Sequence, residues 1–153
     1  MEQYEIEFAI HHNENLEKYQ FRFWNRINNL IVSLQIFFSV VIFANVANVQ
    51  WFGAFLAILT IGAFIYRPER KAIQAENQIE KYIHLRLRYS CWDEDTLRNK
   101  FESVTNTDSS VLGCFYNPAF NRTVIQKDQN DAFIKMTFME KVMSWIAGDL
   151  PRI

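Results

Sequence analysis

The chain has 153 residues, half of them apolar, and a formal net charge of −1, a composition that on average is typical of one soluble domain. The charges are unevenly distributed, because the 16 Lys and Arg and the 17 Asp and Glu all lie outside residues 27–66. A net charge near zero, without a cluster of basic residues in the sequence, argues against a nucleic-acid-binding protein. The uncharged middle indicates a membrane protein.

The N-terminal part, residues 1–29, is predicted to be a cytoplasmic helix. From about residue 14 its apolar side chains recur on one side, among them Leu16, Tyr19 and Phe23. We expect the same helix to continue into the apolar segment that follows.

Residues 30–66 are predicted to form a transmembrane helical hairpin. The first half, residues 30–49, would be about 30 Å long as a helix, which matches the hydrocarbon thickness of a bilayer. The second half, residues 51–66, is shorter, so it must borrow flanking residues, thin the bilayer or pack tightly against neighbours. The connection, residues 44–50, is short enough to bring the two helices into direct contact.

Basic residues flank the hairpin at both of its chain ends. Cations precede the first span and follow the second, whereas the connection between the spans is uncharged; these cations are Lys18, Arg22, Arg26, Arg67, Arg70 and Lys71. By the positive-inside rule, both termini are predicted to face the cytoplasm.

Residues 67–153 are predicted to be a cytoplasmic helical domain. Four helices are expected there, at residues 69–89, 93–104, 117–125 and 131–147. Asp93 is a typical N-cap, Pro118 is typical of a first helical turn, and Gly148 is expected to end the last helix. No strand pattern occurs, so the predicted fold class is all-α.

Four polar side chains of the hairpin are the candidate pore-lining residues: Asn28, Gln35, Ser39 and Asn45. The first three recur at helical spacing along one side of the first span, and Asn45 lies in the connection. A polar side chain in hydrocarbon needs a partner or water, so this stripe predicts either hydrogen bonds between helices or a water-lined pore. Both alternatives stay open. A pore requires several copies, because one hairpin has too few walls to enclose water.

Two further side-chain patterns predict packing surfaces. A track of small residues that allows close approach of the first helix or of a neighbouring subunit consists of Gly53, Ala57 and Thr60. A methionine stripe on the final helix consists of Met136, Met139 and Met143. This stripe is predicted to be either a core face of a helical bundle or an adaptable interface for subunit assembly or partner docking.

No catalytic or ligand-binding motif is present in the sequence. It has no nucleophile elbow, no zinc-protease motif, no Gly-rich phosphate loop and no Cys/His spacing typical of a metal site. We therefore expect no enzymatic activity, no metal and no cofactor. Cys91 and Cys114 are expected to be free thiols in a reducing compartment.

The layout as a whole resembles the SLATT family, small two-transmembrane proteins of bacterial conflict systems. The resemblance is carried by the close-coupled hairpin, by EKYIHLRLRY at residues 80–89 and by NPAFNR at residues 117–122. It implies an inner-membrane effector of antiphage defence that oligomerises and permeabilises the membrane on a cytoplasmic signal, with Gln35 and Ser39 lining the pore. The implied partners are the lipid bilayer, other copies of the chain, and a nucleotide second messenger or a sensor protein from a neighbouring gene.

A messenger that binds directly needs cationic donors for its phosphates. The cytoplasmic candidates, which solvated surface positions explain equally well, are Arg86, Arg88, Arg98, Lys100 and Arg122. Three alternatives to a pore-forming effector stay open: a non-conducting membrane anchor that recruits a cytoplasmic partner, a phage holin or superinfection-exclusion protein, and a soluble helical bundle.

Overall fold

Residues 3–44 and 49–152 are described by a computed structural model, and within them the chain contains helices and no strand, so the all-α prediction is confirmed. The α-helices are α1 (Gln3–Phe43), α2 (Val49–Tyr66), α3 (Pro68–Arg88), α4 (Glu94–Thr105), α5 (Tyr116–Gln126) and α6 (Phe138–Ile146). Short 3₁₀ turns lie at Tyr89–Cys91, Gly113–Phe115 and Asn130–Ala132. We call residues 27–44 and 49–66 the hairpin, and residues 3–26 and 67–152 the helical body.

Helix α1 has 41 residues and passes without a break from the helical body into the hairpin. Its buried face begins well before residue 14, where the apolar pattern was expected to start, because Ile6 and Ile10, one turn apart, are buried against α3. It ends at Phe43, and residues 45–48 of the predicted connection lie outside the described residues. Helix α2 already begins at Val49 and has 18 residues, which removes most of the expected shortage of length in the second span.

Two clusters of buried side chains hold the helical body together. The distal core, at the end far from the hairpin, joins α1, α3 and α4 through Ile6, Ile10, Tyr82, Leu85 and Leu97. The proximal core, next to the hairpin, joins α1 to α5, to the 3₁₀ turn before α5 and to the end of α6. It consists of Leu16, Tyr19, Phe23, Phe115, Ala119 and Ala147. Burial of one large apolar side chain stabilises a fold by about 1.5–3 kcal/mol, so each core fixes part of α1 to the shorter helices.

Buried carboxylates connect α1 to its neighbours. The Glu14 side chain accepts hydrogen bonds from Lys18 Nζ at 2.6 Å and from Arg86 Nε at 2.7 Å. The Glu17 carboxylate accepts from the backbone N–H and the hydroxyl of Ser109, at 3.1 and 2.7 Å, and burial raises the pKa of Glu17. Because a buried charge is costly without such partners, these bonds specify how α1 sits against α3 and against the loop after α4.

A sharp break separates α2 from α3. Arg67 has a φ of 46°, a left-handed conformation, and Pro68 occupies the first turn of α3, where its missing N–H costs no hydrogen bond. A proline at this position is compatible with either a kink in a continuous helix or the start of a new helix. The structure shows the new start.

The predicted helix over residues 131–147 is wrong in its first half. Helix α6 begins only after Thr137, because Thr137 Oγ1 accepts from the Glu140 N–H at 3.3 Å and Glu140 Oε2 accepts from the Thr137 N–H at 2.6 Å. Upstream, the side-chain amide of Asn121 donates to the Ile134 carbonyl at 2.7 Å and accepts from the Ile134 N–H at 2.8 Å. These two bonds use backbone groups that a helix would need.

Replacement of Asn121 by alanine is expected to lower the free energy of unfolding by about 1–3 kcal/mol, because both backbone groups of Ile134 lose their partner. Denaturant unfolding of the full chain in mild detergent, followed by near-ultraviolet circular dichroism, measures this loss. Asn77→Ala, at an exposed position of α3, is the control and should stay within about 0.5 kcal/mol of the wild type. Equal losses in the two variants would contradict a structural role for Asn121.

A half-buried histidine gives the helical body a pH dependence. The His12 ring lies edge-on to Phe120 with centroids 6.2 Å apart, and its Nδ1 has no hydrogen-bond partner among the described residues. Burial lowers the pKa of His12 below the ordinary value of 6.5, so the folded chain favours the neutral ring. The stabilisation is complete above that ordinary value and is lost as the pH falls towards the lower folded-state pKa.

His12→Phe is expected to flatten the pH dependence of the melting temperature between about pH 7.5 and pH 5.5, because the variant no longer takes up this proton on unfolding. The variant and the wild type are compared by how much the melting temperature of each changes with pH. A constant difference in stability caused by repacking around the new phenylalanine ring therefore cancels. Burial also lowers the pKa of His11, which is present in both proteins. A variant that loses as much stability on acidification as the wild type would contradict this role of His12.

Candidate functional site

Among the described residues, two helices are long and apolar enough to cross a membrane, and none of the described residues in the most apolar window of each is buried. Large apolar side chains of the hairpin are exposed, among them Ile36, Val40, Ile58, Phe64 and Ile65. A core helix of a soluble protein would be mostly buried, and soluble monomers rarely expose so continuous an apolar surface. The hairpin therefore indicates association with a membrane.

Aromatic rings and a hydrogen bond join the two helices of the hairpin. The ring of Phe38 packs against those of Phe52 and Phe55, with centroids 5.9 and 6.1 Å apart. One turn closer to the helical body, Gln35 Nε2 donates to Thr60 Oγ1 at 3.3 Å. Gln35 lies roughly 13 Å along α1 from its last charged residue, at ~1.5 Å per residue, which is near the middle of the uncharged part of the helix.

The side-chain amide of Gln35 is only partly satisfied. The Thr60 hydroxyl donates to the Leu56 carbonyl at 2.8 Å and the Ser39 hydroxyl donates to the Gln35 carbonyl at 2.7 Å, so both hydroxyl protons are bound within their own helices. Gln35 donates one amide proton to Thr60, whereas its second proton and its side-chain oxygen have no partner in the described part of the chain. In hydrocarbon such a group is stabilised by water or by a second protein copy.

Asn28 and Gln35 line one cleft of about 430 Å³ between α1, α2 and the start of α3, which we call the inner cleft. Charged side chains also line it: Arg67, Glu69 and Arg70. The inner cleft thus connects the charged boundary of the hairpin with the polar group in its middle. Ser39 lies one turn beyond Gln35 along α1, and Asn45 lies outside the described residues.

The small residues of α2 differ in their surroundings. Thr60 contacts α1 through its hydrogen bond, whereas Ala57 is exposed and a Cβ placed on Gly53 would meet no atom within 4 Å. Packing within one hairpin therefore does not require glycine at that position. The contact of Phe38 with two rings of α2 was missed, because a contacting phenylalanine and a lipid-facing one look alike in the sequence.

The three methionines do not form one helical stripe, and this part of the prediction is wrong because α6 is shorter than expected. Met136 precedes α6 and is buried, and Met143 is half-buried against the proximal core. Met139 is 63% exposed. Of the three side chains Met139 is thus the most exposed, and a role of these methionines in assembly stays a prediction.

These features define a class of protein: an all-helical body that carries a two-helix apolar hairpin suited to a membrane. Comparison of the chain with protein-family models, curated proteins and solved structures finds no match. The assignment of function therefore starts from the geometry of the hairpin.

The contact between Gln35 and Thr60 is expected to couple the two spans by about 0.5–1 kcal/mol, the usual size of such bonds between membrane helices. A double-mutant cycle of Gln35→Leu and Thr60→Val, measured by denaturant unfolding in mild detergent, gives this energy. Ser39→Ala, paired with Thr60→Val, is the control, because the Ser39 hydroxyl binds its own helix. Additive effects of Gln35→Leu and Thr60→Val would contradict the contact.

Proposed function

We propose that the protein is a bacterial inner-membrane effector whose hairpins assemble into an oligomer and permeabilise the membrane on a cytoplasmic signal. Both termini lie in the cytoplasm in this proposal. The role in antiphage defence, where loss of the membrane barrier kills or arrests the infected cell, rests on the resemblance to the SLATT family.

The cations at the inner end of the hairpin support this orientation. Arg26 on α1 and Lys71 on α3 lie at that end, where Lys71 Nζ stands 4.2 Å from the centre of the Trp24 ring. Arg26 Nη1 also donates to the Ile146 carbonyl at 2.8 Å, which fixes the end of α6 beside the membrane entry. Tryptophan together with Lys and Arg is typical of a cytoplasmic membrane boundary.

The observation that carries the proposal is the partly satisfied amide of Gln35 in the middle of the hairpin. Leaving a polar group unpaired in hydrocarbon costs several kcal/mol, of the order of 2–7 kcal/mol for an amide. A single hairpin cannot surround Gln35, whereas a ring of hairpins gives it water or the amide of a neighbouring copy. Asn28 shares the inner cleft with Gln35 and would continue the same polar path towards the cytoplasm.

Helix α1 provides the connection between a cytoplasmic signal and the membrane. Its N-terminal part belongs to both cores of the helical body, and the same helix carries Gln35. A rearrangement of the body around α1 would therefore rotate or tilt Gln35 in the bilayer, as helix shifts do in other switching proteins.

A non-conducting membrane anchor is the second candidate, and the hydrogen bond between Gln35 and Thr60 favours it. In that function the pair only holds the two spans together. The helical body would then recruit a cytoplasmic partner while the membrane stays sealed.

Overexpression of the full chain in bacterial cells, with and without its neighbouring genes, is expected to depolarise the membrane, as read with a potential-sensitive dye. Gln35→Leu should reduce depolarisation at an equal amount of inserted protein, because the amide that holds water is removed. Ile36→Leu, at the adjacent and 61% exposed position, is the control and should behave as the wild type.

Thr60→Val separates the two candidate functions. This variant removes the partner of the Gln35 amide, so a pore-lining Gln35 would leave depolarisation at least as strong as in the wild type. If Gln35 acts only by joining the two spans, Thr60→Val and Gln35→Leu should lower the amount of protein inserted in the membrane equally. A sealed membrane around inserted wild-type protein in every gene context would support the anchor and overturn the permeation proposal.

A further inference from the structure

The five cations considered as phosphate donors are not equivalent in the structure. Three of them form ion pairs within the helical body: Arg86 with Glu14, Arg98 with Glu94, and Arg122 with Asp149. The other two, Arg88 and Lys100, line the same cleft and form no ion pair with another side chain in the described part of the chain. Three of these cations are therefore used in ion pairs within the fold, and the remaining two, Arg88 and Lys100, lie together at one surface.

This distal cleft lies between α3 and α4 and has a volume of about 400 Å³, a size that fits a small molecule. Its polar lining, with Trp92 at one side, consists of Lys81, His84, Arg88, Lys100 and Ser103. None of the described residues that line it is acidic. Lys81 already donates to Gln78 and Thr107 and lies near the Asp108 carboxylate, whereas Arg88 and Lys100 have no ion-pair partner in the described part of the chain. A concave site with two such cations favours an anionic ligand.

The distance of the distal cleft from the hairpin argues against lipid headgroups as its ligand. Helix α3 has 21 residues, so Arg88 lies roughly 30 Å from Pro68 at ~1.5 Å per residue. Leu85, which lines the cleft, belongs to the distal core together with Ile6 near the start of α1. Attraction between charges is screened beyond about 8 Å in physiological salt, so the surface of a bilayer at the hairpin is out of reach.

We propose that the distal cleft binds a soluble, phosphorylated small molecule. Arg88 and Lys100 supply charged donors for phosphate oxygens. Lys100 Nζ lies over the Trp92 ring, 4.8 Å from its centre, and Trp92 packs against the distal core, so this contact positions Lys100 at the wall of the cleft. Ligand binding does not depend on the proposed function, whereas the role of this ligand as the cytoplasmic signal rests on it.

The cleft is also placed to act on α1. Its apolar wall contains Leu85, which packs with Ile6 and Ile10 of α1 in the distal core, and Val104, which packs against that core. A ligand that draws α3 and α4 together would therefore change the packing at the start of the helix that enters the hairpin.

The test uses the full chain in nanodiscs of neutral phosphatidylcholine, with binding measured by titration calorimetry. The probes are ATP, which carries both phosphates and a ring, inorganic triphosphate, which lacks the ring, and vesicles that contain phosphatidylglycerol. The double variant Arg88→Gln with Lys100→Gln is expected to weaken binding of ATP and of triphosphate by about tenfold or more, the change that corresponds to ~1.4 kcal/mol. Trp92→Ala is expected to weaken binding of ATP and of triphosphate alike, because the indole positions Lys100.

The matched control removes two cations from another basic cleft. Lys135→Gln with Lys141→Gln alters the net charge by the same amount, and these two lysines line a separate cleft with Arg152. Circular dichroism of each variant checks that the fold is kept. Absence of binding of ATP and triphosphate to the wild type, equal weakening by the two double variants, or binding of the vesicles alone would overturn the proposal. A sealed membrane in the depolarisation experiment would overturn the permeation proposal but not the proposal that the distal cleft binds this ligand.

Discussion

Helix α1 is continuous, but its two ends need different surroundings, and the rest of the structure depends on this constraint. In its first half α1 carries Glu14 and Glu17, which are buried and need the donors that α3 and the loop after α4 provide. After Arg26 it has no charge at all and exposes apolar side chains. The helical body forms where α1 offers buried polar and apolar partners, and the hairpin forms where it offers only lipid-facing surface.

Two clefts of the described chain contain polar or charged side chains with unused capacity for a partner. In the hairpin the amide of Gln35 keeps unused hydrogen-bonding capacity, and in the helical body Arg88 and Lys100 of the distal cleft form no ion pair. Elsewhere arginines are used to hold elements together, as in the pairs of Arg86 with Glu14 and Arg122 with Asp149. The two proposals of function and of ligand binding follow from these two exceptions.

Local signals were sufficient for much of the fold. Asp93 caps α4 by accepting from the Thr96 N–H at 3.1 Å, as the sequence predicted, and Pro68 starts α3, which is one of the two outcomes that its position allowed. The start of α6 has a local signal, the capping-box spacing of Thr137 and Glu140, which the predicted helix over residues 131–147 overlooked. The non-helical course of the residues before it could not be predicted, because it depends on the long-range pair of Asn121 with Ile134, and the loss of the methionine stripe follows from it. For the same reason the sequence could propose Gln35 as a polar group in the hairpin but could not place Thr60 as its partner.

The two legs of the hairpin differ in their continuity with the helical body. Helix α1 passes from the body into the first leg without a break, whereas the second leg, α2, is separated from α3 by Arg67 in a left-handed conformation before Pro68. A rotation of the body about α1 would therefore pass directly into the first leg, while the second leg would be connected to it only through the interruption at Arg67.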